Sequence, residues 1–253
     1  MLKYLNKIIH KLFNFFGYRF LRNEDVVIFK LDKLREKLSQ EIKNDKSLEN
    51  FFIFISKNHE KSKSQIFQDL LVDYILNKKD GVYCEVGALD GLIFSNTYYL
   101  EKELGWSGIL CEPNKKYIDK IKINRPNNIL IDKPVFSIED KEVFFTERDG
   151  GRSSIISDNN KYNNYKLRTT TLNLIFSSCL KNKTLDYLSI DTEGTEFEII
   201  KYLDFDKYKP KIISIEHNYD MKKRNKIFAL LKKKNYKRIF KSISRFDDWY
   251  IKI

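Results

Sequence analysis

The chain has 253 residues, of which 42% are hydrophobic and 14% aromatic, so it can form one α/β domain with an appendage and is not a disordered protein. Its formal net charge of +12 suits a polyanionic or membrane partner, and equally suits lysines that only solvate the surface. Because no arginine-rich cluster or aromatic ladder is present, nucleic acid is not an expected partner. The three cysteines, Cys84, Cys111 and Cys179, have no CxxC spacing and suit a reducing cytosol, with Cys84 and Cys111 buried in apolar runs.

Residues 1–22 predict a basic amphipathic helix, because apolar residues recur at helical spacing from Leu2 to Phe16 with lysines between them. Lys7 and Lys11 interrupt the apolar core that a signal peptide needs, and the segment is too short and too charged to span a bilayer. Such a helix can lie on an anionic membrane surface, pack on the domain, or pack on a second copy of the chain. We expect a cytoplasmic protein, either free or peripheral at the inner membrane face.

The remaining N-terminal residues, up to residue 63, are predicted to form a helical extension. Apolar residues from Val27 to Leu38 alternate steps of four and three, which is a short seam that can pair in a homodimer. The run FFIFI at 51–55 predicts a short buried run or a strand, and residues 57–64 read as a polar linker. We therefore divide the chain into an extension, 1–63, and a domain, 64–253.

From Gln65 onwards, predicted helices and strands alternate. A helix in SQIFQDLLVDYILNKK precedes the strand VYCEVG, and further short apolar runs are each followed by an amphipathic segment. The last two segments, YKRIFKSIS and DDWYIKI, predict an antiparallel pair. This order predicts a doubly wound, mostly parallel sheet of the Rossmann-like α/β class. Ligands bind such sheets at the edge where the carboxyl ends of the strands meet.

Polar residues stand at that edge after five successive predicted strands. They are Glu85, Asp90, Glu112, Asp132, Asp191, Glu193, Glu216, His217 and Asn218. A loop can place one charge anywhere, but acids or histidine at five strand ends in turn are unexpected by chance. We take these residues as the outline of a functional site.

The first glycine turn indicates which cofactor binds. Gly87 and Gly91 are present, but the full GxGxxG pattern of dinucleotide-binding proteins is not met. The acids Glu85 and Asp90 in this turn would repel a pyrophosphate, whereas they suit a ligand with positive charge and hydroxyls. S-adenosylmethionine has a sulfonium, an ammonium and a ribose. Glu112, at the end of the next strand, is placed to accept hydrogen bonds from both ribose hydroxyls.

The motifs EVGALDGLIFSNTYYLEKELGWSGILCEPN, LDYLSIDTEGTEFEII and ISIEHN resemble those of the FkbM family of S-adenosylmethionine-dependent methyltransferases. SQIFQD resembles the segment before their first strand, so the resemblance covers residues 64–253. It implies a seven-stranded sheet with a final antiparallel hairpin. It also implies O-methylation of sugars or natural products, often for bacterial surface polysaccharides such as capsules. The cofactor contacts that it implies are Gln68, Glu85, Gly87, Asp90, Ser95, Asn96, Glu112 and, near the adenine, Asp132.

Transfer of a methyl group to a sugar hydroxyl requires alignment of donor and acceptor and removal of the hydroxyl proton. His217 is predicted as the general base, with a structural histidine as the alternative. Asp191, with Glu216 or Asn218, offers hard oxygen ligands for Mg²⁺ or Mn²⁺ that would leave positions for substrate hydroxyls. Alternatively, these residues orient His217 and bind the sugar without a metal.

Further assignments concern the substrate and the helix ends. Arg152, in the loop after the predicted strand EVFFTE, either holds a phosphate of a nucleotide-activated sugar or belongs to a flexible surface loop. Glu193 is a second substrate candidate, and it can also cap the following helix. Ser95 or Asn96 is expected to cap its own helix, and Glu196 and Glu198 are expected to face solvent.

The sequence therefore predicts an O-methyltransferase that acts on a sugar hydroxyl. The rival enzyme functions are methyl transfer to nitrogen, to a lipid or to a small natural product. The rival from another class is a catalytically dead scaffold with a basic, membrane-binding N-terminus.

Overall fold

The structure is a computed structural model that describes residues 45–147, 153–156, 164–181 and 183–253. The helices of these residues are α1 (Lys46–Asn58), α2 (Gln68–Leu76), α3 (Tyr98–Leu104), α4 (Lys115–Asn124), α5 (Leu172–Cys179), α6 (Glu196–Lys201) and α7 (Met221–Lys233). The strands are β1 (Val82–Val86), β2 (Ser107–Cys111), β3 (Ile129–Ile131), β4 (Glu142–Thr146), β5 (Ser154–Ile156), β6 (Asn164–Arg168), β7 (Tyr187–Ile190), β8 (Ile212–Glu216), β9 (Tyr236–Ile239) and β10 (Asp247–Lys252).

Seven strands form one sheet in the order β3-β2-β1-β7-β8-β10-β9. β1 pairs in parallel with β2 and β7, so that Glu85 lies between Leu110 and Ser189, whereas β10 is antiparallel to both of its neighbours. This confirms the predicted doubly wound sheet with a final antiparallel pair. The strand order reverses between β1 and β7, and the crevice beyond their carboxyl ends is where such folds bind ligands.

Helices cover both faces of the sheet, which explains why its central strands are continuous apolar runs. On one face, Cys84 and Val86 pack in a core with residues of α5, α6 and α7. On the other face, Tyr83 and Trp249 pack with residues of α1, α2, α3 and α4. Cys84 and Cys111 are buried, as predicted.

A second, three-stranded antiparallel sheet has the order β5-β4-β6. The sequence predicted β4 correctly but read the residues after it as a loop. Ile155 of β5 pairs with Phe145, and Tyr165 of β6 pairs with the same residue from the other side. This small sheet adds one wall to the pocket described below.

The run FFIFI is not a strand, because it lies inside α1. Oδ1 of Asp45 accepts the backbone N–H groups of Ser47 and Leu48 and so begins the helix. Five consecutive apolar residues have no period of their own, so this cap and the packing surface decide their conformation. Phe51 and Ile55 belong to the same core as the sheet. The division of the chain at residues 63 and 64 stays a prediction.

The predicted basic helix of residues 1–22, the seam from Val27 to Leu38 and Arg152 lie outside the described residues. The predictions made for them stay predictions. Within the described ranges, no helix combines the length and apolar character needed to cross a membrane.

Candidate functional site

A pocket opens at the carboxyl edge of β1, β2 and β7, which is the edge where the sequence predicts a site. Its polar lining includes Glu85, Asn96, Glu112, Asp191 and Glu193. Its apolar lining comes mainly from the loop before α3, the segment after β3 and the small sheet, and includes Ile93, Phe94, Pro113, Pro134, Val135, Phe145 and Ile155. A pocket with apolar walls and a few convergent polar groups is typical of a cofactor site.

Gly87 forms the turn at the end of β1. Its φ angle is +89°, and a Cβ at this position would overlap the carbonyl oxygen of Asp191. Glycine therefore allows the first turn to lie directly against the end of β7. Both residues line the pocket, so the predicted cofactor turn and the predicted catalytic acid are neighbours.

Glu85 holds the loop that precedes α3. Its carboxylate accepts hydrogen bonds from Oγ of Ser95 at 2.9 Å, from Oγ1 of Thr97 at 2.6 Å and from the backbone N–H of Asn96 at 2.6 Å. Burial raises the pKa of Glu85, while Arg125 and these donors act in the opposite direction. Oε2 thus accepts two hydroxyls of the loop, whereas Oε1, with one donor, keeps acceptor capacity for a ligand in the pocket that Glu85 lines.

The N-cap residue of α3 is Thr97, so the prediction that Ser95 or Asn96 caps this helix is wrong. Oγ of Ser95 accepts the backbone N–H of Tyr98 at 3.1 Å in the turn that leads into α3. Nδ2 of Asn96 donates to Oγ of Ser189 at 2.9 Å, whereas its buried Oδ1 has no hydrogen-bond partner among the described residues. A buried amide oxygen at the pocket suits a donor on the ligand, such as the ammonium of the cofactor.

Arg125, which sequence reasoning missed, supports the same loop from behind. It is fully buried, donates to the carbonyl oxygen of Gly91 at 2.9 Å and to Oγ of Ser95 at 3.2 Å, and forms an ion pair with Glu101. Its NH2 group donates to the hydroxyl of Tyr83 at 2.6 Å. A single arginine before a proline gives no periodic signal, so only the folded structure identifies this role.

Asp90 also has a structural contact. Its Oδ1 accepts the backbone N–H groups of Leu92 at 2.9 Å and Ile93 at 2.8 Å. The side chain thereby fixes the turn that carries Ile93 and Phe94 to the pocket, and Asp90 is not itself among the lining residues. The structure therefore does not place Asp90 among the pocket residues that the predicted cofactor contact requires.

Glu112 is placed as the sequence predicted. One carboxylate oxygen accepts the N–H of Leu89 at 2.9 Å and the other accepts the N–H of Asn114 at 2.8 Å. Burial raises the pKa of Glu112 to about 7. Each oxygen keeps acceptor capacity toward the pocket, which matches the two hydroxyls of a ribose.

The adenine side differs from the prediction. Asp132 is exposed and lies outside the pocket lining, whereas Lys133, Pro134 and Val135, the next three residues, belong to it. Phe145 of the small sheet completes this apolar wall. The family resemblance implied Asp132 at this place, whereas the structure lines it with apolar side chains, which suit a planar ring.

Gln68 is also displaced from its predicted place. Its Oε1 accepts the N–H of Ile66 at 3.0 Å, and its Nε2 donates to Oδ2 of Asp247 at 2.9 Å. The glutamine that lines the pocket is Gln65. Burial raises the pKa of Asp247 to about 7, and this acid adds negative charge near Asp191.

Three carboxylates meet beside Gly87, where Asp191 and Glu193 line the pocket and Glu216 lies buried next to them. Asp191, Glu193 and Glu216 each contribute one oxygen atom, and these atoms all lie within 4.8 Å of one another. Desolvation, followed by the charges of Asp247 and Glu193, raises the pKa of Asp191. Desolvation and the charge of Asp191 raise the pKa of Glu216 to about 10. The cluster therefore favours cations and hydrogen-bond donors.

Asn218 lies next to the cluster. It is exposed, and its Nδ2 donates to Oε2 of Glu193 at 3.4 Å. Glu193 joins Asp191 and Glu216 in the carboxylate cluster, and the assignment of Asn218 as a metal ligand stays a prediction.

His217 is buried, and both of its ring nitrogens are engaged by the backbone. Nε2 lies 3.1 Å from the carbonyl oxygen of Asp247, and Nδ1 accepts the N–H of Tyr219 at 3.1 Å. Burial lowers the pKa of His217. A neutral ring bonded in this way has no lone pair free for a substrate proton, so the geometry favours the structural alternative. The ring supports a turn in which Asn218 and Tyr219 both have left-handed φ angles.

Glu196 is buried, so the prediction that it faces solvent is wrong. Its Oε1 accepts the N–H groups of Thr192 at 3.1 Å and Gly194 at 2.8 Å, and its Oε2 pairs with Lys223 at 2.6 Å. The loop after β7 folds back over this side chain, which a helical-wheel argument does not anticipate. Glu196 thereby positions the loop that carries Asp191 and Glu193.

Comparison with known proteins agrees with this geometry. A sequence model of the methyltransferase FkbM domain matches residues 85–238, which is more than half of the chain. No curated protein matches.

Solved structures of methyltransferases are similar at low identity. A methyltransferase FkbM from Methylobacillus flagellatus KT is 10% identical, with a TM-score of 0.46 over 78% of this chain and 59% of that one. A precorrin-6y C5,15-methyltransferase from Geobacter metallireducens GS-15 is 13% identical, with a TM-score of 0.41 over 74% of this chain and 86% of that one. These structures are too distant to support a function, and the family assignment rests on the match of the sequence model. The chain belongs to the FkbM methyltransferase family and is an S-adenosylmethionine-dependent methyltransferase.

Proposed function

We propose that the chain transfers the methyl group of S-adenosylmethionine to a hydroxyl oxygen of a sugar. The acceptor is a nucleotide-activated sugar or an intermediate of a bacterial surface polysaccharide such as a capsule. The observation that carries this proposal is the cluster of Asp191, Glu193 and Glu216 beside the cofactor turn. Carboxylate oxygens accept hydrogen bonds from hydroxyl groups, and a sugar presents several of them in fixed directions.

The cofactor half of the pocket supports the orientation of the donor. Glu112 would accept the ribose hydroxyls, Oδ1 of Asn96 would accept from the ammonium, and Val135 and Phe145 would enclose the adenine. In this orientation Gly87 and Asp191, which are in contact, would lie beside the sulfonium and its methyl group. The acceptor oxygen must then approach from the side of the carboxylate cluster, in line with the bond that breaks.

The transfer itself moves one methyl group and one proton. An oxygen lone pair of the acceptor forms the new O–CH₃ bond while the S–CH₃ bond breaks and its electron pair stays on sulfur. The O–H bond of the acceptor breaks, and its proton passes to a carboxylate oxygen of Asp191. Asp191 suits this task because desolvation and neighbouring acids raise its pKa, which makes it a stronger base than an ordinary carboxylate. His217 acts by holding the adjacent turn.

Charge supports an anionic acceptor. The formal net charge of +12 would attract a diphosphate or a polyanionic glycan at a distance. The assignment of Arg152 to a phosphate, the homodimer, the cytoplasmic location and the membrane contact of residues 1–22 stay predictions.

The test is methyl transfer from isotope-labelled S-adenosylmethionine to a panel of acceptors. The panel contains nucleotide-activated sugars, free sugars, amines, phospholipids and phenolic natural products, and NMR of the product identifies the methylated atom. We expect a sugar O-methyl product, and a loss of at least 100-fold in kcat for Asp191→Asn, the range for a missing general base. Asp119→Asn is the matched control, because it removes the same charge at an exposed position of α4.

Two results would contradict the proposal. A product methylated on nitrogen, on a lipid or on a natural product would replace the sugar by that acceptor. Failure of the folded protein to bind S-adenosylhomocysteine in a calorimetric titration would indicate a dead scaffold.

A further inference from the structure

Asp191, Glu193 and Glu216 form a carboxylate cluster beside the pocket. Asp191 and Glu193 come from the loop after β7, and Glu216 comes from the end of β8. Their three oxygen atoms lie within 4.8 Å of one another, which is close enough for one ion to contact all three. We propose that these three residues bind one divalent cation, Mg²⁺ or Mn²⁺, at the acceptor end of the pocket.

A second observation points to a ligand at this place. Glu216 is only 6% exposed, and its Oε2 atom is buried without a hydrogen-bond partner among the described residues. A buried carboxylate oxygen normally accepts at least one hydrogen bond, because its desolvation is otherwise uncompensated. A cation between the carboxylates supplies that missing partner.

Two cations of α7 pair with acids outside the cluster. Lys223 pairs with Glu196 at 2.6 Å, and Arg224 pairs with Asp248 at 2.6 Å. Across the described ranges, neither Asp191 nor Glu216 forms an ion pair with a lysine or arginine. The acid Asp247 adds further negative charge nearby. We therefore expect a cation from solution to pair with Asp191 and Glu216.

The ligand atoms decide the class of ion. The three donors are carboxylate oxygens, which are hard ligands and suit Mg²⁺ or Mn²⁺ rather than a metal that prefers thiolate or imidazole. His217, the nearest imidazole in sequence, has both ring nitrogens bonded to the backbone and offers none to a metal. Three monodentate carboxylates occupy about half of an octahedral shell and leave the other positions to water or substrate oxygens.

The use of this ion in catalysis rests on the proposed function, whereas its binding does not. An ion bound here would lower the pKa of a coordinated sugar hydroxyl and fix its direction. The second oxygen of Asp191, which the ion does not need, stays available to accept the proton. Two adjacent hydroxyls of one sugar would fit two open positions, so the site favours a vicinal diol.

The experiment is a titration of the full chain with Mn²⁺, followed by electron paramagnetic resonance of the free ion. We expect one Mn²⁺ per chain, displaced by added Mg²⁺. Glu216→Gln and Glu193→Gln should each weaken binding by at least tenfold, because each removes one of three charged ligands. Asp119→Asn is the matched control and should bind as the wild type does. Thermal unfolding checks that each variant is folded.

The outcomes separate this site from the proposed function. Failure of the wild type to bind Mn²⁺, while it still binds S-adenosylhomocysteine, would overturn the metal site and leave methyl transfer intact. Mn²⁺ binding that neither glutamine variant weakens would also overturn it, because the ion would then lie elsewhere. Loss of Mn²⁺ in both variants supports the site, even if no sugar is methylated.

Discussion

The two halves of the pocket treat their carboxylates in opposite ways. In the cofactor half, the oxygens of Glu85 and Glu112 accept hydrogen bonds from the surrounding loops. In the acceptor half, Glu216 is buried next to Asp191 and Glu193, and its Oε2 has no partner in the part of the chain that the structure describes. The carboxylates of the first half are therefore paired before any ligand binds, and the atom left for a ligand there is Oδ1 of Asn96. In the second half, a carboxylate oxygen itself, Oε2 of Glu216, is left for a ligand.

The difference reflects the two tasks of a methyltransferase. A donor that is bound in every turnover benefits from a preformed cradle, because ordering the loop beforehand removes that cost from binding. An acceptor site has to favour a group that gains negative charge or loses a proton. We infer that its acidic side chains are therefore held close together, although this lowers the stability of the folded protein. Single substitutions in each half test this difference.

The largest effect is expected at the contact between the halves. Gly87→Ala should lower the free energy of unfolding by about 3 kcal/mol, because a positive φ angle and an overlap with the carbonyl oxygen of Asp191 both oppose the new methyl group. Urea denaturation measures this change. Gly194→Ala is the matched control: its φ angle of +136° is also positive, but no atom lies within 4 Å of its Cβ position, so only about 1 kcal/mol should be lost. Equal losses in both variants would refute the close approach.

In the cofactor half, Glu85→Gln should destabilise the protein by about 2 kcal/mol. The new amide would direct N–H groups at Ser95, Thr97 or the backbone of Asn96, which now donate to the carboxylate. Thermal and urea unfolding measure the change. Glu139→Gln, an exposed change of the same kind, should leave the stability unaltered. An unaltered Glu85→Gln variant would mean that the loop before α3 does not depend on this carboxylate.

The pH dependence of cofactor binding tests Glu112. Its pKa of about 7 in the free protein should fall when ribose hydroxyls donate to it, because they stabilise the ionised form. Affinity for S-adenosylhomocysteine should therefore rise about tenfold from pH 6 to pH 8, measured by calorimetry. Without cofactor, the raised pKa acts on folding: stability falls as the pH rises from about 4.5 to about 7, where the unfolded state ionises first.

Glu112→Gln is the control for this titration. The variant should bind the cofactor more weakly and with no rise in affinity between pH 6 and pH 8. A rise that persists in the variant would assign the titration to another group.

The smallest effect has the opposite sign. In the acceptor half, Glu216→Gln should raise the free energy of unfolding of the metal-free protein by about 1 kcal/mol at pH 7. Glu216, with a pKa raised to about 10, must take up a proton on folding, and glutamine avoids that cost. The measurement is urea unfolding in the presence of EDTA. Added Mn²⁺ should then stabilise the wild type more than the variant. Destabilisation of the metal-free variant would contradict the view that this half stores unbalanced charge.

The pocket could be located from the sequence because the spacing of apolar residues and the position of polar residues along the chain predict where strands end. Short apolar runs between amphipathic segments predict a parallel sheet, and a parallel sheet brings its strand ends to one edge. Glu112, Gly87 and Asp191 could be placed from this argument alone. The contacts that only the family resemblance implied did less well: Gln68 bonds Asp247 instead of lining the pocket, and Asp132 is exposed outside it, because a motif does not determine the direction of a side chain.

The sequence by itself determined the doubly wound sheet, the final antiparallel pair and the cofactor class, because periodic patterns and the acidic glycine turn are local features. Tertiary structure alone decided which polar groups meet. Arg125 supports the loop before α3 by donating to the carbonyl oxygen of Gly91. The two ring nitrogens of His217 contact the backbone of Asp247 and of Tyr219. Glu193 joins Asp191 and Glu216 in one carboxylate cluster. Such contacts join residues from separate strands and loops, and no local pattern encodes distances between them.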